Sequence, residues 1–113
     1  MPKPELEFFA ADQVSWTRVP GPAEGIYERI LATNDESGTA SRLVRFDVGC
    51  DTTPNGVQVH TFWEEVYIIE GALHDLTLDK TFSQGMYACR PPGMRHGPWI
   101  SPQGCLLFEA RYP

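Results

Sequence analysis

Gly56-Val-Gln-Val-His-Thr-Phe-Trp-Glu-Glu-Val-Tyr-Ile-Ile-Glu-Gly71 is one of two long stretches free of internal turn punctuation, and its reading decides the architecture. It is rich in β-branched and aromatic residues, so it reads as strand. On a strand, side chains two apart share a face, so Gln58 and His60 point together. A brief turn or bulge at residues 61–63 returns Glu64 to the same side. Parity through Val66, Ile68 and Glu70 favours Glu64 over Glu65 as the inward carboxylate, and a bulge exchanges the two. An imidazole and a carboxylate enclosed by an apolar wall need a cation or a hydrogen-bond network, because an unpaired interior carboxylate is costly.

Outward from this stretch, the pattern repeats. Further strands are expected at residues 14–19, 25–31, 41–48, 57–60, 65–69, 72–78, 85–89, 95–100 and 105–111. Asn34-Asp-Glu-Ser-Gly38, Pro54-Asn-Gly56, Pro91-Pro-Gly93 and Ser101-Pro-Gln-Gly104 supply tight connections between them. About nine short strands at regular spacing predict an all-β domain, a small antiparallel sandwich or barrel. Residues 1–13 form an irregular or short helical lead-in. A second window, Gly85-Met-Tyr-Ala-Cys-Arg-Pro-Pro-Gly-Met-Arg-His-Gly-Pro-Trp99, turns sharply at Pro91-Pro-Gly93 and delivers His96 at the start of the next strand. His60, Glu64 and His96 then make a two-His, one-carboxylate face. Such a set leaves metal positions open and suits Fe(II), with Mn, Ni or Zn as alternatives. Gln58 is either a fourth, weak oxygen ligand or a partner for metal-bound water.

Composition bounds the rest. The 113 residues carry 9 Lys plus Arg against 15 Asp plus Glu, a net charge of −6. That length packs one core, so a single domain spanning 1–113 is expected. Scattered basic residues give no footprint for nucleic acid or anionic lipid. The apolar run near the N-terminus is far shorter than the ~20 residues of a membrane span, and a cytoplasmic protein is expected. Cys50, Cys89 and Cys105 lack zinc or redox spacing and read as reduced, near-core thiols without a role.

The two windows resemble the two motifs of the cupin superfamily. His60-x3-Glu64-x6-Gly71 is similar to the first motif from its second His onward, and Gly85-x5-Pro91-x-Gly93-x2-His96 to the second through its His. The family's first His is Gln58 here, and its closing Asn is Ile100. The resemblance, over residues 56–71 and 85–100, implies a small double-stranded β-helix, or jelly roll, with a divalent metal held by His60, Glu64 and His96. Within the superfamily the phrasing is similar to ChrR-like and acetylacetone dioxygenase-like cupins. That implies an Fe(II) oxygenase acting on a small carbonyl or phenolic substrate as one activity, and a metal or ligand sensor as another. An oxygen-independent isomerase, lyase or cyclase fits the same metal-polarised chemistry, and Gln58 also admits a degenerate cupin without metal.

Other residues have lesser expectations. Glu65 and His74 are candidates for orienting water or moving a proton. Phe62, Trp63, Tyr87, Trp99 and Phe108 are placed near the barrel mouth or core. Arg45, Arg90 and Arg95 either pair with a substrate anion or make surface ion pairs, and the remaining carboxylates read as a solvated face. Open strand edges and the resemblance together suggest a homodimer.

Overall fold

The computed structural model describes residues 3–113. Eleven strands follow a turn of 3-10 helix at Ala11–Gln13, and a second such turn, Thr53–Asn55, lies between the fourth and fifth strands. They are β1 (Thr17–Arg18), β2 (Ile26–Asn34), β3 (Thr39–Phe46), β4 (Cys50–Asp51), β5 (Gln58–Val59), β6 (Trp63–Asp75), β7 (Lys80–Ser83), β8 (Tyr87–Arg90), β9 (Arg95–His96), β10 (Trp99–Ser101) and β11 (Cys105–Tyr112). All pairings are antiparallel, in the order β1-β2-β3-β11-β6-β10-β4, with β7 and β8 also on β6 and a separate β5-β9 pair. The result is a curled antiparallel half-barrel, as the alternating apolar pattern predicts.

β6 organises this barrel. The expected strands at 65–69 and 72–78 are one strand, which continues through Gly71. Its first half pairs with β11 and β8, and its second half with β7 and β10. The register against β11 slips between Leu106 and Leu107, so Ile69 has no partner and the strand bulges there. Glu64, Val66 and Ile68 therefore point inward, while Glu70 is exposed despite its parity with them. Conversely, the expected strand at 95–100 divides at Gly97-Pro98 into β9 and β10. β4 and β7, too short and polar to stand out, were not among the expected strands.

The core is built from the inward positions Ile26, Val44, Phe46, Val66, Ile68, Leu73, Trp99 and Leu107, joined by Ala23, Cys50 and Cys105. Each aliphatic side chain buried this way contributes roughly 1.5–3 kcal/mol. The three cysteines are free thiols, with Cys89 exposed rather than near the core.

At the far end of β6, Asp75 is only 1% exposed. Its carboxylate accepts backbone N–H bonds from Thr77 (2.8 Å), Leu78 (2.9 Å) and Gly97 (3.3 Å). Gly97 directly follows His96, so this buried acid ties the end of β6 to the turn after β9. No helix among the described residues is long and apolar enough to cross a membrane.

Candidate metal centre

Strand register assembles the site. On β6, Glu64 stands directly opposite Arg90 of β8 on one side and Arg111 of β11 on the other. Directly opposed residues in an antiparallel pair project to the same face, so both guanidinium groups reach the Glu64 carboxylate. Arg90 Nη1 donates to Glu64 Oε1 at 2.8 Å, and Arg111 Nε lies 3.4 Å from Oε2. The β5-β9 pair places Gln58 directly opposite His96. His60, just after β5, is fixed by the hydrogen bond from Gly93 N to its carbonyl and by stacking of its ring on Phe62 at 4.6 Å.

His60, Glu64 and His96 thus converge, with one donor atom from each lying within 4.8 Å of the others. His60 Nε2 is 3.5 Å from Glu64 Oε2, and His96 Nε2 is 3.8 Å from Oε1. Side-chain exposure is 20% for His60, 3% for Glu64 and 8% for His96. The three line a cavity of about 520 Å³ together with Gln58, Trp99, Phe46, Val66 and Leu107.

The electrostatics favour neutral imidazoles. Burial, with the positive charge of Arg90 and the neighbouring His60 ring, pushes His96 down to about 4. A weak pull from the Met94 backbone acts the other way. Burial and then Arg111 likewise lower His60. Burial raises the Glu64 carboxyl, helped by Glu109, and Arg111 and Arg90 offset this only in part.

These residues fit a divalent cation. Neutral imidazoles and a carboxylate are the donors such ions take, and ligands on bonds of ~2.1 Å sit about 3–3.5 Å apart, close to the two imidazole–carboxylate separations of 3.5 and 3.8 Å. His96 Nδ1 is buried without a hydrogen-bond partner, while Nε2 is the ring nitrogen that faces Glu64. Gln58 lines the cavity, with its amide nitrogen donating to the Asn55 carbonyl at 2.9 Å.

Several expected residues lie elsewhere. Glu65 faces the opposite side of β6 and accepts hydrogen bonds from the Tyr87 and Tyr112 hydroxyls. Those bonds hold its carboxyl below the usual range and push Tyr112 up to about 12. His74 bonds Thr81 Oγ1 (2.9 Å) and Asp79 Oδ1 (3.1 Å) through its two ring nitrogens. Neither lines the cavity, so the proton-moving roles expected for them have no place in the cavity as folded. Glu65→Gln is accordingly expected to leave metal affinity within about twofold of wild type, whereas Glu64→Gln loses at least about tenfold. Equilibrium titration of both variants with Mn2+ checks this, and a larger loss in Glu65→Gln than in Glu64→Gln would reverse the assignment of the inward carboxylate.

Of the aromatic candidates, Trp99 alone lines the cavity. Phe62 packs on His60, and Trp63, Tyr87 and Phe108 are exposed on the outer face. Arg45 stacks outside on Trp16 and Tyr27, and Arg95 is exposed. Of the three arginines considered, only Arg90 reaches the cavity.

The reading of the remaining carboxylates as a solvated face is corrected here. Glu28 and Glu109 are buried and line the cavity with Arg42 and Arg111. Burial pushes Glu109 up, but Arg42 and Arg111 outweigh it and hold the carboxyl below its usual range. Their signal was the period-two placement of Glu28 after Ile26, Arg42 before Val44, and Glu109 and Arg111 after Leu107 on otherwise apolar faces.

Fold and site together define a small β-barrel protein of the cupin class, with a cavity that gathers two histidines and a glutamate. The family model of the ChrR cupin-like domain matches residues 5–113, and the chain belongs to that family. Among solved structures it is similar to an RmlC-like cupin from Shewanella frigidimarina, at 23% identity and a TM-score of 0.77, over 100% of this chain and 95% of the other. An acetylacetone dioxygenase from Acinetobacter johnsonii is similar at 15% identity and a TM-score of 0.76, over 96% and 74%. The polyketide cyclase RemF from Streptomyces resistomycificus is similar at 19% identity and 0.74, over 95% and 80%. At these identities the likeness shows the fold alone. No curated protein matches the chain.

Proposed function

We propose that this chain is a divalent-metal-dependent cupin enzyme, with His60, Glu64 and His96 holding the ion and Fe(II) as the favoured metal. The observation that carries the reading is the convergence of three donor atoms within 4.8 Å on the wall of the barrel cavity. When bound, an Fe(II) ion supplies a Lewis acid for an enolisable carbonyl or phenol and a centre for dioxygen chemistry.

The chain's own residues do the rest. Trp99, Phe46, Val66 and Leu107 line the cavity, exclude water and accept the apolar part of a small substrate. Gln58, opposite His96, orients a polar group of substrate or water. Arg90 fixes the Glu64 carboxylate, so that its orientation does not depend on the ion. A likeness in fold to an acetylacetone dioxygenase supports oxygen chemistry, and one to a polyketide cyclase supports an oxygen-independent version on the same scaffold. Membership in the ChrR cupin-like family favours ligand or metal sensing as the second reading. A homodimer and a cytoplasmic location complete the proposal.

Elemental analysis of untagged protein, followed by oxygen-electrode assays of the Fe(II)-loaded chain with a simple 1,3-diketone, tests the reading. Metal at about one ion per chain and diketone-dependent oxygen uptake are expected. Diketone consumption without oxygen uptake would establish the oxygen-independent version. Bound metal without turnover of any enolisable carbonyl would leave the sensor.

A further inference from the structure

Six charged side chains line the cavity, Glu28, Glu64 and Glu109 against Arg42, Arg90 and Arg111. They form one continuous chain of ion pairs. Glu28 meets Arg42 at 2.8 Å, Arg42 meets Glu109 at 2.9 Å, and Glu109 meets Arg111 at 2.5 Å. Arg111 reaches Glu64 at 3.4 Å, and Glu64 meets Arg90 at 2.8 Å. With three charges of each sign, the wall is neutral before anything binds.

A divalent ion at His60, Glu64 and His96 adds two positive charges to this cavity. Its one carboxylate ligand already serves two guanidinium groups. Repulsion between the ion and those groups is less screened in a partly buried cavity than in water, so the cation alone binds less tightly than it would beside a negatively charged second ligand. Negative charge on a second ligand reduces the imbalance.

Arg111 is placed to meet that ligand. Its side chain is the most exposed of the three arginines, at 26% against 12% for Arg42 and 13% for Arg90. Its guanidinium lies 4.9 Å over the Phe62 ring, which stacks on His60 and keeps the group beside the metal ligands. Among the described residues its shortest contacts with both Glu109 and Glu64 run through Nε. The two terminal amino groups, the fork that grips paired oxygens, remain as donors.

We propose that the cavity takes a small organic anion, a carboxylate or enolate, that chelates the ion at His60, Glu64 and His96 and pairs with Arg111, so that cation and anion bind cooperatively. This rests on the metal reading above. A neutral molecule of the same shape leaves the added charge uncompensated and gains no such coupling.

The test is Mn2+ titration of the full chain, followed by the spin-resonance signal of free Mn2+, alone, with pyruvate and with its uncharged isostere pyruvamide. Pyruvate is expected to raise Mn2+ affinity about tenfold, and pyruvamide to leave it unchanged. In Arg111→Gln, Mn2+ alone is expected to bind more tightly than in wild type, with the pyruvate enhancement lost. Arg111→Lys keeps the charge but not the fork and is expected to retain part of the enhancement, more than Arg111→Gln does, which separates charge from folding defects. Equal enhancement by pyruvate and pyruvamide, or full enhancement in Arg111→Gln, would overturn the proposal while leaving a His96-dependent metal site standing. Mn2+ binding that is absent, or unaffected by His96→Ala, would overturn the metal reading and this proposal with it.

Discussion

His96→Ala is expected to reduce bound metal from about one ion per chain to a trace, a loss of at least about 100-fold in affinity, because it removes one of the three proposed protein ligands and leaves an incomplete coordination shell. The fold is expected to survive. His96 is buried and neutral, and one of its ring nitrogens has no hydrogen-bond partner. Truncation therefore opens a small cavity but also removes an unsatisfied polar atom, and the two effects offset to within about 2 kcal/mol. Elemental analysis after gel filtration, with a circular dichroism melt of the metal-free variant, separates lost ligation from lost structure. Unchanged metal content in a folded variant would refute the site.

The second large effect is structural. A Cβ on Gly71 would lie 2.1 Å from the Gly104 carbonyl oxygen and 2.9 Å from the Cys105 Cα. Both are backbone atoms, held by the pairing of Gly71 with Cys105 and by the hydrogen bond from Ala72 N to Gly104 O at 3.2 Å. No side chain can rotate away to make room, so β6 and β11 must separate. The backbone at Gly71 also has φ of +80°, where any other residue is strained. Together these predict that Gly71→Ala costs about 4 kcal/mol, a fall of roughly 15 °C in Tm. Gly85→Ala is the control. It has a similar φ of +87° but open space around the new atom, so only the conformational cost of ~1 kcal/mol is expected. A Gly71→Ala melt as mild as that of the control would show that the two strands do not approach so closely.

The residues legible in the sequence were those whose positions are set locally. The alternation around Val66 and Ile68 and the Pro91-Pro-Gly93 turn were enough to aim Glu64 and His96, and the motif offsets tied them to His60. The inward arginines were not legible, because Arg42 and Arg111 acquire meaning only when register sets them beside Glu109 and Glu64. That pairing joins residues as far as 67 positions apart, and no local pattern carries it. Arg42 on an apolar face reads as an interruption of the strand until its partners are known. Gly71 misled for the opposite reason. An isolated glycine between apolar segments reads as a turn, yet here it lets one strand run on beneath a neighbouring backbone. Glu70 followed the same logic, since a single unpaired residue at Ile69 reversed its direction.

Asp75 has a bearing on how mutations in this chain are interpreted. It is outside the cavity and touches none of the three metal ligands, yet its carboxylate ties the end of β6 to the amide of the residue after His96. The aim of a candidate ligand is thus set by a neighbouring buried carboxylate that does not itself line the cavity. A saturation screen for lost metal uptake would score Asp75 alongside the candidate ligands themselves, and a designer who recut the cavity for a new substrate could vary its walls freely only while leaving that buried acid behind them in place.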